Sequence, residues 1–148
     1  VLAEYANDRN LDLGKVLQMV AIHDLVEIYA GDTFCYDADA TARQKERERE
    51  AAQRLFSLLP EDQAARLRAL WEEFEAQQTP EAAFANALDR LHPVLHNYCT
   101  QGVSWREHHV KREQVLDRNR HIARGALPLW ELVQSLVNDA VQRGYLTG

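Results

Sequence analysis

The sequence predicts an all-α fold, and three observations predict it. It shows neither the period-2 alternation of a half-buried strand nor an Asn-Gly or Asp-Gly hairpin turn. Apolar residues return instead at helical spacing, as in Leu67, Leu70, Trp71 and Phe74. Capping residues stand ahead of such stretches: Asp12, Thr79 followed by Pro80, and Ser104 with Glu107 three residues on.

The elements follow in order. Residues 1–6 read as the inside of a helix that closes near residues 7–10, with no cap ahead of it, which predicts further chain upstream of Val1. Asp12 caps a second helix that runs to about Ala30 and stops at Gly31, a suitable residue just past a helix end. A loop is expected over residues 31–39. A third helix follows, from about Thr41 to Leu59; residues 43–50 are nearly all charged with mixed sign and read as a solvated face. Pro60 opens a fourth helix, whose Leu67, Leu70, Trp71 and Phe74 read as core. Thr79 and Pro80 open a fifth that runs through Tyr98, with a kink or break expected at Pro93. The capping box at Ser104 predicts a sixth helix ending near Gly125. Pro128 starts a last helix with Trp130, Val133, Leu136 and Val137 inward. No repeat and no low-complexity linker interrupts the chain, so a single compact domain of about six to seven helices is expected.

Bulk composition narrows the function. The 148 residues are enough to bury a hydrophobic core without disulfides. Hydrophobic residues make up 46% and charged residues 27%, the balance of an ordinary globular domain. The formal net charge of −6 argues against a nucleic-acid polymer as partner, because such binding needs a basic surface. It leaves small phosphorylated substrates open, since a bound cation reverses the local field. No apolar run is long enough for a membrane span, and no signal-peptide pattern occurs. Cys35 and Cys99 stand far apart and read as reduced thiols of a cytoplasmic protein.

One stretch carries chemistry. From Val16 to Ala30 the second helix is apolar almost all round, the mark of a buried helix, yet His23, Asp24 and Glu27 interrupt it. At about 100° per residue these three share one side of a regular helix. Buried carboxylates are destabilising by several kcal/mol unless paired or bound to a cation. A common divalent ion is one economical partner; a satisfied buried His–carboxylate pair is the other reading of the same residues. An imidazole beside a carboxylate suits borderline divalent metals, and two such ligands leave the site to be completed from elsewhere in the chain.

His23-Asp24, followed by Glu27 and by Gly31-Asp32, resembles the signature of HD-domain hydrolases, nearest to their 5′-deoxynucleotidase-like branch. The resemblance is most specific over residues 22–32, extends to Ala87-Leu88-Asp89-Arg90-Leu91, and continues weakly through His96, Gly102, Trp105 and Trp130. It implies an HD domain over residues 1–148, lacking its N-terminal helix or helices. It implies His23, Asp24 and Asp89 as ligands of one divalent metal ion, for which Mn, Co, Fe, Ni, Zn and Mg all remain open. Glu27 and Asp32 would position the attacking water, move protons and hold the substrate. The family's further His, on a helix upstream of the His-Asp pair, has no counterpart, because no His precedes His23.

The activity implied is hydrolysis of a phosphate monoester, a nucleoside 5′-monophosphate in particular, by a cytoplasmic homodimer. Two other readings stand beside it: a helical dimerisation or regulatory module without turnover, and a phosphodiesterase or pyrophosphohydrolase acting on a signalling nucleotide. Asp89, His92 and His96 share a helical face, but Pro93 lies between them and the two histidines read as surface or supporting groups. His108 and His109 stand early in a helix of mixed polarity, and at least one of them reads as exposed. Trp71, Trp105 and Trp130 read as core or subunit contacts, with base stacking by Trp105 the lesser alternative. Arg90 and Lys111 read as surface cations, with phosphate binding as the alternative.

Overall fold

Asp12 begins the ordered helical framework: its carboxylate accepts the Lys15 amide at 3.0 Å and caps α1 (Leu13–Ile22). The computed structural model describes residues 1–31 and 38–148, and the side-chain surroundings of all of these but 38–43. Among the described residues the chain is all-α. After α1 come α2 (Glu27–Ala30), α3 (Ala38–Phe56), α4 (Glu61–Ala76), α5 (Pro80–Cys99), α6 (Val103–Glu107), α7 (Arg112–Asn119), α8 (Ile122–Gly125) and α9 (Leu127–Gln142). Extended pairing among them is limited to an isolated bridge between Lys111 and Thr147.

Helix α5 is the axis of the core. It opens as predicted, Thr79 accepting the Ala82 amide at 3.2 Å with Pro80 in the first turn. It packs against α1, α4, α6, α8 and α9. Phe84, Ala85, Ala87 and Leu91 on α5 are buried with Met19 of α1, Ile122 of α8, and Val133 and Val137 of α9. The α5–α8 approach is so close that a side chain at Gly125 would meet the Ala83 carbonyl at 2.3 Å, so only glycine fits there. Buried Asn86 locks α4 to α5: its amide nitrogen donates to the Phe74 and Ala82 carbonyls at 2.8 and 3.0 Å, and its oxygen accepts from Gln77 at 2.7 Å. With every polar atom of that amide bonded, the end of α4, and Phe74 with it, has a fixed seat.

Several expectations need correction. Residues 2–5 form a single 3₁₀ turn rather than the end of a helix. Asn7 explains the stop: its side chain donates to the Ala123 and Arg124 carbonyls at 2.8 and 3.0 Å and accepts from the Leu127 amide at 2.8 Å, which ties the chain to the α8–α9 junction. The predicted helix from Asp12 to Ala30 is not uniform, because residues 23–26 tighten into a 3₁₀ turn before α2. Nor is it buried all round: Leu13, Leu17, Val20, Leu25, Ile28 and Tyr29 are exposed, Leu17 at 69%. Helix α5 runs through Pro93 as one element, although Pro93 has no N–H to return to the Asp89 carbonyl. The predicted sixth helix is three pieces, α6, α7 and α8. Gly102, not Ser104, stands at the start of α6, and His109 takes left-handed backbone (φ 52°) between α6 and α7.

Candidate functional site

The His-Asp pair sits where the helix tightens. A 3₁₀ turn advances about 120° per residue, so the azimuths of a regular helix do not apply from His23 onward. His23 is nearly buried, its side chain 11% exposed. Its Nδ1–H donates to the Val20 carbonyl at 2.9 Å, which turns Nε2 toward the site. Phe74 covers the other side of the ring, with centroids 4.5 Å apart and planes tilted by 41°.

Nε2 meets two carboxylates from distant parts of the chain. Asp24 Oδ1 is 3.0 Å away and Asp89 Oδ1, from the middle of α5, is 3.3 Å away. Two acceptors facing one ring nitrogen require a positive charge among them, either a proton on Nε2 or a cation. With a proton there, burial pushes the His23 pKa down, but the hydrogen bond to Asp89 and the charges of Asp24 and Asp89 outweigh it and raise it above its ordinary value. Burial pushes Asp89 up, and the His23 hydrogen bond with the Arg90 charge outweighs that and holds it low. Asp24 differs from the expectation of a buried acid: its side chain is 69% exposed, so desolvation does not force it to find a partner.

The three donors suit a divalent ion. Two ligands each about 2.1 Å from one ion stand about 3.0–3.4 Å apart at right-angled or tetrahedral geometry, the span of the two distances measured here. Imidazole and carboxylate are the donor types that borderline metals prefer. Among the described residues no three such side chains are already spread about a common point; both acids lean onto the imidazole instead. Exposed Asp24 is free to swing outward and open that arrangement.

The remaining sequence candidates divide. Glu27 opens α2, half-buried, immediately after the 3₁₀ turn. Asp32 lies outside the described residues. His92, His96, His108, His109 and Lys111 are exposed. Trp71 and Trp105 are buried and Trp130 packs on the core, so Trp105 has no face free for a base.

Sequence reading passed over three neighbours of Asp89 and His23. Glu75 on α4 has its pKa raised by burial and then by the Glu48 charge, while Lys45, Arg90 and His23 draw it down. Beyond it, a cleft of about 500 Å³ runs between α3 and α4, lined by Lys45, Arg49, Trp71 and Glu75 among others. Arg118 of α7 and His121, at the start of α8, act electrostatically on Asp89 and on each other. Their signal in the sequence was slight: Glu75 follows core Phe74, and buried Asn119 separates Arg118 from the residues that turn back to α5.

Known proteins bear on this geometry. The chain is similar to the crystal structure of a predicted metal-dependent phosphohydrolase from Magnetospirillum magnetotacticum, with 50% sequence identity and a TM-score of 0.92 over 99% of this chain and 75% of that one. It is 35% identical over 95 residues to the 5′-deoxynucleotidase HDDC2 of Bos taurus, covering 64% of this chain and 46% of that protein. It is 25% identical over 146 residues to the 5′-deoxynucleotidase hdd1 of Schizosaccharomyces pombe, covering 96% of this chain and 70% of that protein. The chain thus spans about half the length of the HDDC2 relatives it matches. No helix among the described residues is long and apolar enough to cross a membrane. The HD domain family model matches residues 1–130, and the chain belongs to the HD-domain family.

Proposed function

We propose that this protein hydrolyses phosphate monoesters, nucleoside 5′-monophosphates in particular, with His23, Asp24 and Asp89 holding one divalent ion. The observation that carries the reading is the meeting of His23 Nε2 with carboxylates of Asp24 and Asp89, the latter 66 residues away in the chain. The names of the relatives, 5′-deoxynucleotidases and a metal-dependent phosphohydrolase, support it.

A bound divalent ion would lower the pKa of a water toward about 7 and polarise a phosphoryl oxygen. The chain's own residues do the rest. Val20 fixes the His23 ring so that Nε2 presents its lone pair. Phe74 keeps bulk water off the buried side of that ring. Glu27 and Asp32 together position the attacking water, move protons and hold the substrate. Positioning and charge neutralisation supply most of the acceleration in such displacements on phosphorus. Mn, Co, Fe, Ni, Zn and Mg all fit a donor set of one nitrogen and carboxylate oxygens.

The same reading makes the protein a cytoplasmic homodimer. A count of only two cysteines, far apart and without a CxxC pair, supports the compartment. The exposed face of Leu13, Leu17, Val20 and Ile28 supports the dimer, since such an apolar run invites cover.

Elemental analysis of protein purified without chelator, with an assay on 5′-deoxynucleotides, tests the function. About one divalent ion per chain and release of inorganic phosphate, both lost in Asp89→Ala, are expected. No metal uptake even in excess Mn or Co would sink the hydrolase and leave a helical interaction module.

A further inference from the structure

Beside Asp89 the structure gathers cationic side chains that carboxylates pair only in part. Arg90 is half-buried, with Nε 3.6 Å from Asp89 Oδ2, too long for a hydrogen bond; that Nε is buried without a hydrogen-bond partner. Arg118 of α7 is half-buried and forms no ion pair with a carboxylate among the described residues. His121 has Nε2 buried without a partner. The guanidinium groups of Arg90, Arg118 and Arg124 all act on His121 electrostatically, and Asp89 opposes them. Arg124 is committed elsewhere, donating to the Gln77 carbonyl at 3.1 Å. Arg90 and Arg118 both act electrostatically on Asp89, which His23 already engages, and Arg90 is shared with a second acid, Glu75. The chain as a whole carries −6, so this gathering of cations does not follow from composition. Buried polar groups without partners are destabilising, and where a native fold keeps one, a ligand, an ion or a water is the usual partner.

We infer that Arg90, Arg118 and His121 form the seat of the substrate's phosphate dianion, next to the carboxylate of Asp89. Planar guanidinium groups give paired N–H donors to phosphate oxygens, and two of them balance a dianion. Nε2 of His121 completes the set as a third donor when it carries the proton. The inference rests on the proposed phosphohydrolase reading and specifies how that site takes hold of its substrate. Contact with phosphate, common to every nucleoside monophosphate, would leave the base to be read elsewhere.

The test uses Arg118→Ala and Arg118→Lys, because Arg118 is far in sequence from the proposed metal ligands. Metal content, thermal midpoint, KM and kcat for a nucleoside 5′-monophosphate, and equilibrium binding of inorganic phosphate by calorimetry are measured for each. Arg118→Ala should raise KM and weaken inorganic phosphate binding about tenfold or more, the loss of one charge-assisted contact, with metal content unchanged. Arg118→Lys should recover part of both, which a merely structural role would not produce. Unchanged KM and unchanged phosphate binding in an active enzyme would overturn the inference while leaving the hydrolase intact. If wild-type protein hydrolyses nothing, the proposed function fails, and phosphate binding that still depends on Arg118 sustains the anion seat by itself. Should Arg118→Ala not fold, Arg118→Gln, which keeps a polar side chain and removes the charge, with wild-type phosphate affinity and KM overturns it equally.

Discussion

The two segments that meet at the site are built differently. Asp89 projects from the middle of a 20-residue helix that packs against five others, and its side chain is 28% exposed. Asp24 projects from a 3₁₀ turn between two short helices, with an apolar face open to solvent and its own side chain 69% exposed. One acid is held and the other is adjustable. Such a division lets a site close around an ion without disturbing the core, because the movement falls on the element that packs against fewer others.

That contrast can be broken. Asp89→Ala should lower metal affinity and hydrolysis more than about a hundredfold, beyond the range for residues that only support a ligand. Asp24→Glu should keep more metal affinity than Asp89→Glu, since a swinging carboxylate absorbs an added methylene and a seated one does not. Equal losses would remove the distinction between the two acids.

Stability offers a second comparison. Phe84→Ala, on the buried side of α5, should destabilise by about 3–5 kcal/mol in denaturant unfolding. Leu17→Ser, on the open face of α1, should shift the stability of the isolated chain by no more than about 0.5 kcal/mol. If Leu17→Ser also converts dimer to monomer in sedimentation, a second copy covers that face. A large loss of chain stability would show instead that the face is packed in the folded protein.

The pH dependence of the metal-free protein sharpens the account of His23. Its pKa is raised above 6.5, so its stabilisation is complete below 6.5 and fades as pH rises through the raised value. The Asp89 pKa is lowered below 3.8, so its contribution is present above 3.8 and fades as pH falls through the lowered value. The thermal midpoint difference between wild type and His23→Gln should therefore be largest around pH 5 and shrink by about pH 9. Added Mn should reverse the trend, because a metal takes the deprotonated imidazole and gains with rising pH. A difference that does not vary with pH would mean that His23 carries no proton between the two acids.

Much of the fold was legible because its signals are local. A cap needs only a short polar side chain within three residues of the amides it serves, so Asp12 and Thr79 marked helix starts directly. Gly31 ended α2 with φ at 74°, a conformation glycine takes freely. The chemistry of His23, Asp24 and Asp89 was visible as residue types, and the resemblance over residues 22–32 linked the first two to Asp89. The predicted continuous helix from Ser104 to Gly125 failed because α6 closes locally, with left-handed backbone at His109 and the Val110 N–H returning to the Trp105 carbonyl at 2.8 Å, after which Arg112 N–H bonds the distant Thr147 carbonyl at 2.8 Å.

By itself, then, the amino-acid sequence determined an all-α chain, most helix starts, and the residue types at His23, Asp24 and Asp89 on which the proposed cation site rests. Only the tertiary structure decided which apolar residues of α1 and α2 would be left open, since burial depends on what packs opposite and hydrophobicity cannot report it. It also decided the 3₁₀ turn at His23 and the gathering of Arg118 and His121 beside Asp89. The place of His121 follows from α8 folding back onto α5, where glycine at position 125 permits the contact. Charge clusters assembled from separate helices have no period in the sequence, because distance in space, not along the chain, sets their energy.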